Sequence, residues 1–224
     1  MKSIESISHQ LSLMQSRLGN DALDCIMNSF VQEAMPNGGV RVYNTNPEYA
    51  NSEILIRGNE VFATAGGRID DQHLNEFLNN VELMPSMVYH IDGCMDFHTD
   101  ALGRVIRTEA DVSKTIRLDR SEQRGELKSI ADMKDGRSKD VGGHGVANVY
   151  GGPTEAINIS AMDGELNNGD YKAMEKYIYR MADSWTRKVR MTIHSHYPGS
   201  SKRPSSYDVE VCIDGKTENW YFDN

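Results

Sequence analysis

The chain has 224 residues, 38% of them hydrophobic and 25% charged, with a mean hydropathy of -0.57; this suits one large domain or a small and a medium one and excludes a disordered chain. The formal net charge of -9 argues against tight static binding to a polyanion over the whole surface and leaves a local basic cleft as the means of engaging one. Cys25, Cys94 and Cys212 are too scattered for a disulfide framework or a zinc motif, and no run approaches the ~20 apolar residues of a membrane span.

Residues 3 to 34 carry apolar side chains at a spacing of three to four, from Ile4 and Ile7 to Phe30 and Val31, broken near Gly19-Asn20. That spacing predicts two short helices. Met35-Pro36-Asn37-Gly38-Gly39 breaks the pattern. Glu53–Arg57 and Glu60–Ala65 flank Gly58-Asn59, a dipeptide suited to a tight hairpin turn. Asp70 to Val81 reads as a short helix, with Leu74, Phe77 and Leu78 on one face. Met84-Pro85-Ser86 is the expected domain boundary, giving an N-terminal region of residues 1–85 and a second domain of residues 86–224.

In the second part Met87–Ile91 reads as a strand, followed by a turn-rich stretch and a strand at Arg104–Thr108. Arg117 to Ser138 is polar and charged with little periodicity, the pattern of a solvated face. A long helix is expected from Leu166 through Tyr171, Met174, Ile178 and Trp185, which repeat near 3.6 residues and read as core. Val189–His196 and Asp208–Ile213 alternate as strands.

The chemistry-bearing stretch runs from residue 140 to 178. It holds Gly142-Gly143-His144-Gly145, then Asn158 in Asn-Ile-Ser-Ala-Met, Asn167 in Leu-Asn-Asn-Gly, and Glu175. The two asparagines are nine positions apart, and Asn167 and Glu175 eight. A neutral imidazole can take a proton from water near neutral pH. An amide oxygen is a neutral hard ligand that suits a cation such as Mg²⁺. A carboxylate two turns along the same helix can orient that cation's water shell.

These residues in this register resemble the DNA/RNA non-specific endonuclease family, with its ββα-metal (His-Me finger) site. The likeness covers residue 87 to the end and is strongest from 142 to 178. It implies an α+β fold: a central antiparallel sheet flanked by helices, with a ββα-metal finger and a small N-terminal α/β region. It implies His144 as general base, Asn167 as ligand to one Mg²⁺ or Mn²⁺ ion, Glu175 completing the site, and Asn158 and Gly143 supporting it. It also implies 5′-phosphate products. Most members read Asp-Arg-Gly-His where this chain has Val141-Gly142-Gly143-His144, so the arginine is missing. Arg180, on the helix of Glu175, is the first substitute as catalytic cation. Arg137 and Arg203 are the candidates for contact with the nucleic-acid backbone.

The Gly-Gly-His form is similar to the branch found at the C-termini of secreted bacterial toxins. The expected activity is metal-dependent cleavage of DNA, and of RNA as a second substrate, with little sequence preference. The expected setting is an antibacterial effector with a cognate immunity protein and no membrane partner. It would be made in a bacterial cytoplasm and delivered without a cleaved signal, since residues 1–15 lack the apolar run of one. Two other readings stay open: an inactive nuclease fold acting as an adaptor, and a phage-associated protein that processes nucleic acid.

Overall fold

The computed structural model describes residues 28–67, 73–112, 124–182 and 187–224. The fold is mixed α+β. Twelve strands are described: β1 (Phe30–Ala34), β2 (Val40–Asn44), β3 (Glu53–Arg57), β4 (Glu60–Ala63), β5 (Val88–Ile91), β6 (Met95–Thr99), β7 (Val105–Asp111), β8 (Asp140–His144), β9 (Ile159–Asp163), β10 (Val189–His196), β11 (Ser206–Ile213) and β12 (Lys216–Asp223). Three α-helices accompany them: α1 (Arg124–Met133), α2 (Gly164–Asn168) and α3 (Asp170–Ala182).

Ten strands form one sheet in the order β1-β2-β3-β4-β5-β6-β7-β10-β11-β12. Its pairs are antiparallel except β4 with β5, which are parallel. Residues 84–86 do not interrupt it, because β4 and β5 pair across them. The alternation of side chains sends one face of the sheet into the core: Val42, Ile54, Tyr89, Phe97, Met191, Val209 and Phe222 are all buried. Helix α3 covers that face with Tyr171, Met174 and Ile178. Tyr171 lies 6.0 Å from the ring of Tyr207 and 5.2 Å from that of Phe222, ring to ring.

Strands β8 and β9 stand apart as a two-stranded antiparallel sheet with His144 opposite Ile159. Helices α2 and α3 follow β9 directly, so the order is strand, strand, helix. Helix α1 packs on the hairpin through Leu127 and Ile130, which share a small core with Ala156 and Ile159.

The β3–β4 hairpin forms as its sequence predicts, with Gly58 at φ 61° in the turn. Several expectations change. Most of the two N-terminal helices lies outside the described residues, but their last segment, Phe30–Ala34, is a strand paired residue by residue with β2. Sheet pairing overrides a helical spacing that was only local. The helix expected over Asp70–Val81 is, in its described part, a single turn at 76–78. The Asn75 side chain accepts from the amide of Phe77 at 3.2 Å, and its NH₂ donates to the carbonyls of Glu53 and Thr64. A residue so occupied with distant backbone fixes a turn rather than a helix. The long helix from Leu166 breaks at Gly169 into α2 and α3, and Trp185 lies outside the described residues. Arg117 and Arg120 also lie outside them, while the polar stretch that follows contains α1. No helix among the described residues is long and apolar enough to cross a membrane.

Candidate active site

The glycine pair ahead of His144 is explained by what packs on each side of β8. A side chain at 142 would begin 2.3 Å from the carbonyl oxygen of Leu127, so α1 lies directly on the backbone there. Residue 142 is where the family likeness would put an arginine, and the helix leaves no room for one. A side chain at 143 would begin 2.7 Å from Cβ of Met162 and 3.0 Å from Oδ1 of Asn167. The amide of Asn167 therefore rests against the residue immediately before His144.

The approach of Asn167 is set up by the start of α2. The side chain of Asp163 accepts from the amides of Glu165 at 2.8 Å and Leu166 at 3.1 Å. This capping fixes the entry of the helix after β9. Gly169, donating to the carbonyls of Glu165 and Leu166, ends α2 and lets α3 start in a new direction.

The loop after His144 is held by Asn158. Its Oδ1 accepts from the amide of Val146 at 2.9 Å, and its Nδ2 donates to the carbonyls of Val146 at 2.8 Å and Pro153 at 2.9 Å. Asn158 is buried, and the loop could not bury those groups unpaired at small cost. The Tyr171 hydroxyl donates to the carbonyl of Gly145 at 2.9 Å. Residues 143 and 145, on either side of His144, are thus each gripped from the helical side.

Glu175 sits one turn further along α3. The Tyr150 hydroxyl donates to its backbone carbonyl, and Tyr150 stacks on Tyr179 with centroids 6.4 Å apart. Burial pushes the Glu175 carboxyl up to about 7, with Lys172 opposing. Burial, and next the charge of Glu175, push the Tyr150 and Tyr171 hydroxyls above their ordinary value, so both remain neutral donors. Tyr150 and Tyr171 went unrecognised as site residues in the sequence. The signal available for Tyr171 was its place in the apolar stripe of α3, since a buried tyrosine hydroxyl must find a partner.

The region before residue 85 reaches this loop. Oε1 of Glu155 accepts from the amides of Gly66 at 2.6 Å and Asn75 at 3.1 Å. Oδ1 of Asn79 accepts from the amide of Ala156 at 3.0 Å, and the Ile157 amide donates to Leu78 at 2.9 Å. Gly66, in the loop after β4, and the turn from Asn75 to Asn79 thus hold the segment Glu155 to Ile157.

Three predicted arginines fall in different places. Arg203 is buried and forms a two-pronged ion pair with Asp140, Nε to Oδ2 at 2.6 Å and Nη2 to Oδ1 at 3.0 Å. Its guanidinium is committed inside the fold, which corrects its reading as a contact to the nucleic-acid backbone. Arg137 is exposed before β8, its amide donating to Asp140. Arg180 is exposed on α3, with Nε on the carbonyl of Lys176 at 3.2 Å. It lies about 140° round the helix from Glu175, counting about 100° per residue.

The donor set around residue 143 is an amide oxygen, with a carboxylate two turns on. Among the described residues no group of three or more His, Cys, Asp or Glu side chains is placed to hold a metal ion. A hard cation that keeps most of its water shell and needs few protein ligands fits oxygen donors of this kind.

Gly143→Ala tests the close approach. The methyl group must displace Met162 or the Asn167 amide, and a misplacement near 1 Å can cost about 10²-fold in rate. We expect activity to fall at least tenfold while the melting temperature drops by only a few degrees. Full activity in this variant would mean that the Asn167 amide does not need its present position.

A model of the DNA/RNA non-specific endonuclease family matches residues 85–215, more than half of the chain.

Proposed function

The chain belongs to the DNA/RNA non-specific endonuclease family, and from that premise we propose that it hydrolyses phosphodiester bonds of DNA, and of RNA, with the aid of one Mg²⁺ or Mn²⁺ ion. The observation that supports this reading is the strand, strand, helix order of β8, β9 and α2, which brings the Asn167 amide oxygen to the backbone at Gly143 within the hairpin that His144 closes. His144 acts as the base that takes a proton from the attacking water, a role worth about 10²–10⁴-fold. Asn167 offers its oxygen to the cation, and Glu175 orients the cation's waters. When bound there, the ion supplies positive charge that neutralises the scissile phosphate. Asn158 and the Tyr171 hydroxyl fix the backbone that follows His144, so the strand end that carries the imidazole is not a free loop. Contacts to backbone rather than to base edges account for low sequence preference.

We read the biological role as an antibacterial effector, made in a bacterial cytoplasm, delivered to a target cell and restrained in its producer by an immunity protein. The support for this finer reading is the resemblance of the Gly-Gly-His segment to toxin C-termini.

Incubation of the protein with supercoiled plasmid and with RNA, across Mg²⁺, Mn²⁺ and EDTA, tests the enzymatic reading. Cleavage should need the cation and stop with EDTA. Asn167→Ala should cut about 10- to 100-fold more slowly, the range expected when a site loses metal affinity. Raising the cation concentration should recover part of that loss. An absence of cleavage by the wild type at every cation concentration would favour the adaptor reading instead.

A further inference from the structure

The cations of this acidic chain are unevenly distributed. Arg41, Arg104, Arg107, Lys128 and Lys202 each sit against a carboxylate. On the outer face of the ten-stranded sheet the carboxylates Asp96, Glu109, Asp111, Asp208 and Glu210 outnumber the guanidiniums Arg107 and Arg190 on β6, β7, β10 and β11. A cleft of about 210 Å³ on that face is lined by Asp96, Glu109, Asp111 and Arg190. Helix α3 lies on the opposite, core side of the sheet. There Lys172, Lys176 and Arg180 are all exposed and spaced four residues apart. None of the three forms an ion pair among the described residues.

The stripe lies beside the candidate site. From Glu175, the positions of Tyr179, Lys172, Lys176 and Arg180 follow round the helix at about 40°, 60°, 100° and 140°. The other flank of α3 is closed by the body of the protein. Tyr177 packs there on Trp220 at 5.8 Å, and its hydroxyl donates to Glu218 at 2.6 Å. Helical side chains lean toward the N-terminus of their helix, and the N-terminal end of α3 is the end next to Asn167. Nε of Arg180, donating back to the carbonyl of Lys176, follows that lean.

We propose that Lys172, Lys176 and Arg180 form the track that holds the phosphate backbone of the nucleic acid as it runs away from the scissile bond. This rests on the nuclease reading above and adds the residues that position the substrate. Three cations over two turns span about 12 Å along the axis. A polyanion approaching a molecule of net charge -9 is repelled by the sheet face and attracted by the helix side, which orients the encounter. Arg180 is thereby a substrate-positioning residue and not a group at the reacting atoms.

The test is the salt dependence of binding and cleavage. Binding of a labelled DNA duplex is followed by fluorescence anisotropy in the His144→Ala protein, with and without Lys172→Gln, Lys176→Gln and Arg180→Gln together. Each lost phosphate contact should lower the slope of log K against log salt by about 0.9, so the triple variant should lose between about 2 and 3 from the slope. In the catalytically intact protein the same three substitutions should raise KM at least tenfold at low salt and change kcat by less than threefold. Lys216→Gln, an exposed change on β12, should move neither quantity. An undiminished slope for the triple variant in the His144→Ala background, with the His144 protein cleaving in the presence of the cation, would overturn the track and leave the nuclease reading standing. A wild type that cleaves with no cation, yet binds DNA with a slope the triple variant reduces, would overturn the catalytic reading and leave the track. No binding to DNA at any salt overturns the track.

Discussion

Replacing His144 by alanine is expected to lower plasmid cleavage by at least about 10²–10⁴-fold, the usual contribution of a positioned general base. The loss should lie in kcat, because an imidazole that only removes a proton adds little to substrate binding. The fold should survive. His144 is half-buried at the end of β8, and the backbone around it is held by other residues: Gly145 donates to the Asn158 carbonyl at 2.8 Å, and Tyr171 holds the Gly145 carbonyl. The melting temperature should therefore shift by only a few degrees, and Mn²⁺ affinity should stay close to that of the wild type. A variant that cleaves as fast as the wild type, correctly folded, would remove His144 from the mechanism.

Asp140→Ala is expected to cost about 3–5 kcal/mol of stability, the range for leaving one member of a buried ion pair alone. Arg203 is 5% exposed and Asp140 2%. The stranded guanidinium would keep the carbonyl of Asn224 at 2.9 Å and that of Pro204 at 3.2 Å but no carboxylate. The pair joins the first residue of β8 to the chain entering β11, so it ties the two-stranded sheet to the large one. Asn224 adds to this seam, with Nδ2 donating to the carbonyl of Ala161 at 2.9 Å and Oδ1 accepting from the amide of Asp163 at 2.7 Å. Urea unfolding followed by circular dichroism measures the cost. Replacing both residues by apolar ones, Asp140→Leu with Arg203→Met, should be less damaging than the sum of the single changes, since no charge is left buried.

The same pair sets an acid limit. Burial alone would raise the Asp140 carboxyl, but hydrogen bonds from Arg203 and the Arg137 amide, with the Arg203 charge, outweigh it and hold the group below the ordinary carboxylate range. A carboxyl lowered by folding contributes stability that is present above its unfolded value, near 4, and lost as pH falls through its folded value. Wild-type stability should decline below about pH 4. Asp140→Asn should flatten part of that decline. A single-site cost under 1 kcal/mol would show that the seam is held by other contacts.

Some of this was legible in the sequence, for identifiable reasons. Val189, Met191 and Ile193, and Tyr207, Val209 and Val211, alternate with polar residues, so β10 and β11 could be read directly. The repeat of Tyr171, Met174 and Ile178 marked the buried side of α3. Strand β6 alternates equally well at Met95 and Phe97, but it is short and sits among turn residues. Strand β12 was harder, because few of its eight residues face the core. Helix α1 was hidden in a polar stretch whose buried residues, Leu127, Ile130 and Ala131, are too few to make a long stripe.

The chain of residue types alone determined the family, the order of His144, Asn158, Asn167 and Glu175, and the kind of chemistry those side chains can do. Only the three-dimensional arrangement decided why both glycines precede His144. It set α1 on the backbone of one and the Asn167 amide against the other. It also turned Arg203 inward to Asp140 and set Lys172, Lys176 and Arg180 along an open edge. Gly66, Asn75, Leu78 and Asn79 came to rest on the loop before Asn158 in the same way. Periodicity in a sequence reports which side of an element is apolar. It carries no information on which distant backbone comes within 3 Å of it, because that depends on the order of strands in the sheet and on how the hairpin is clamped to it.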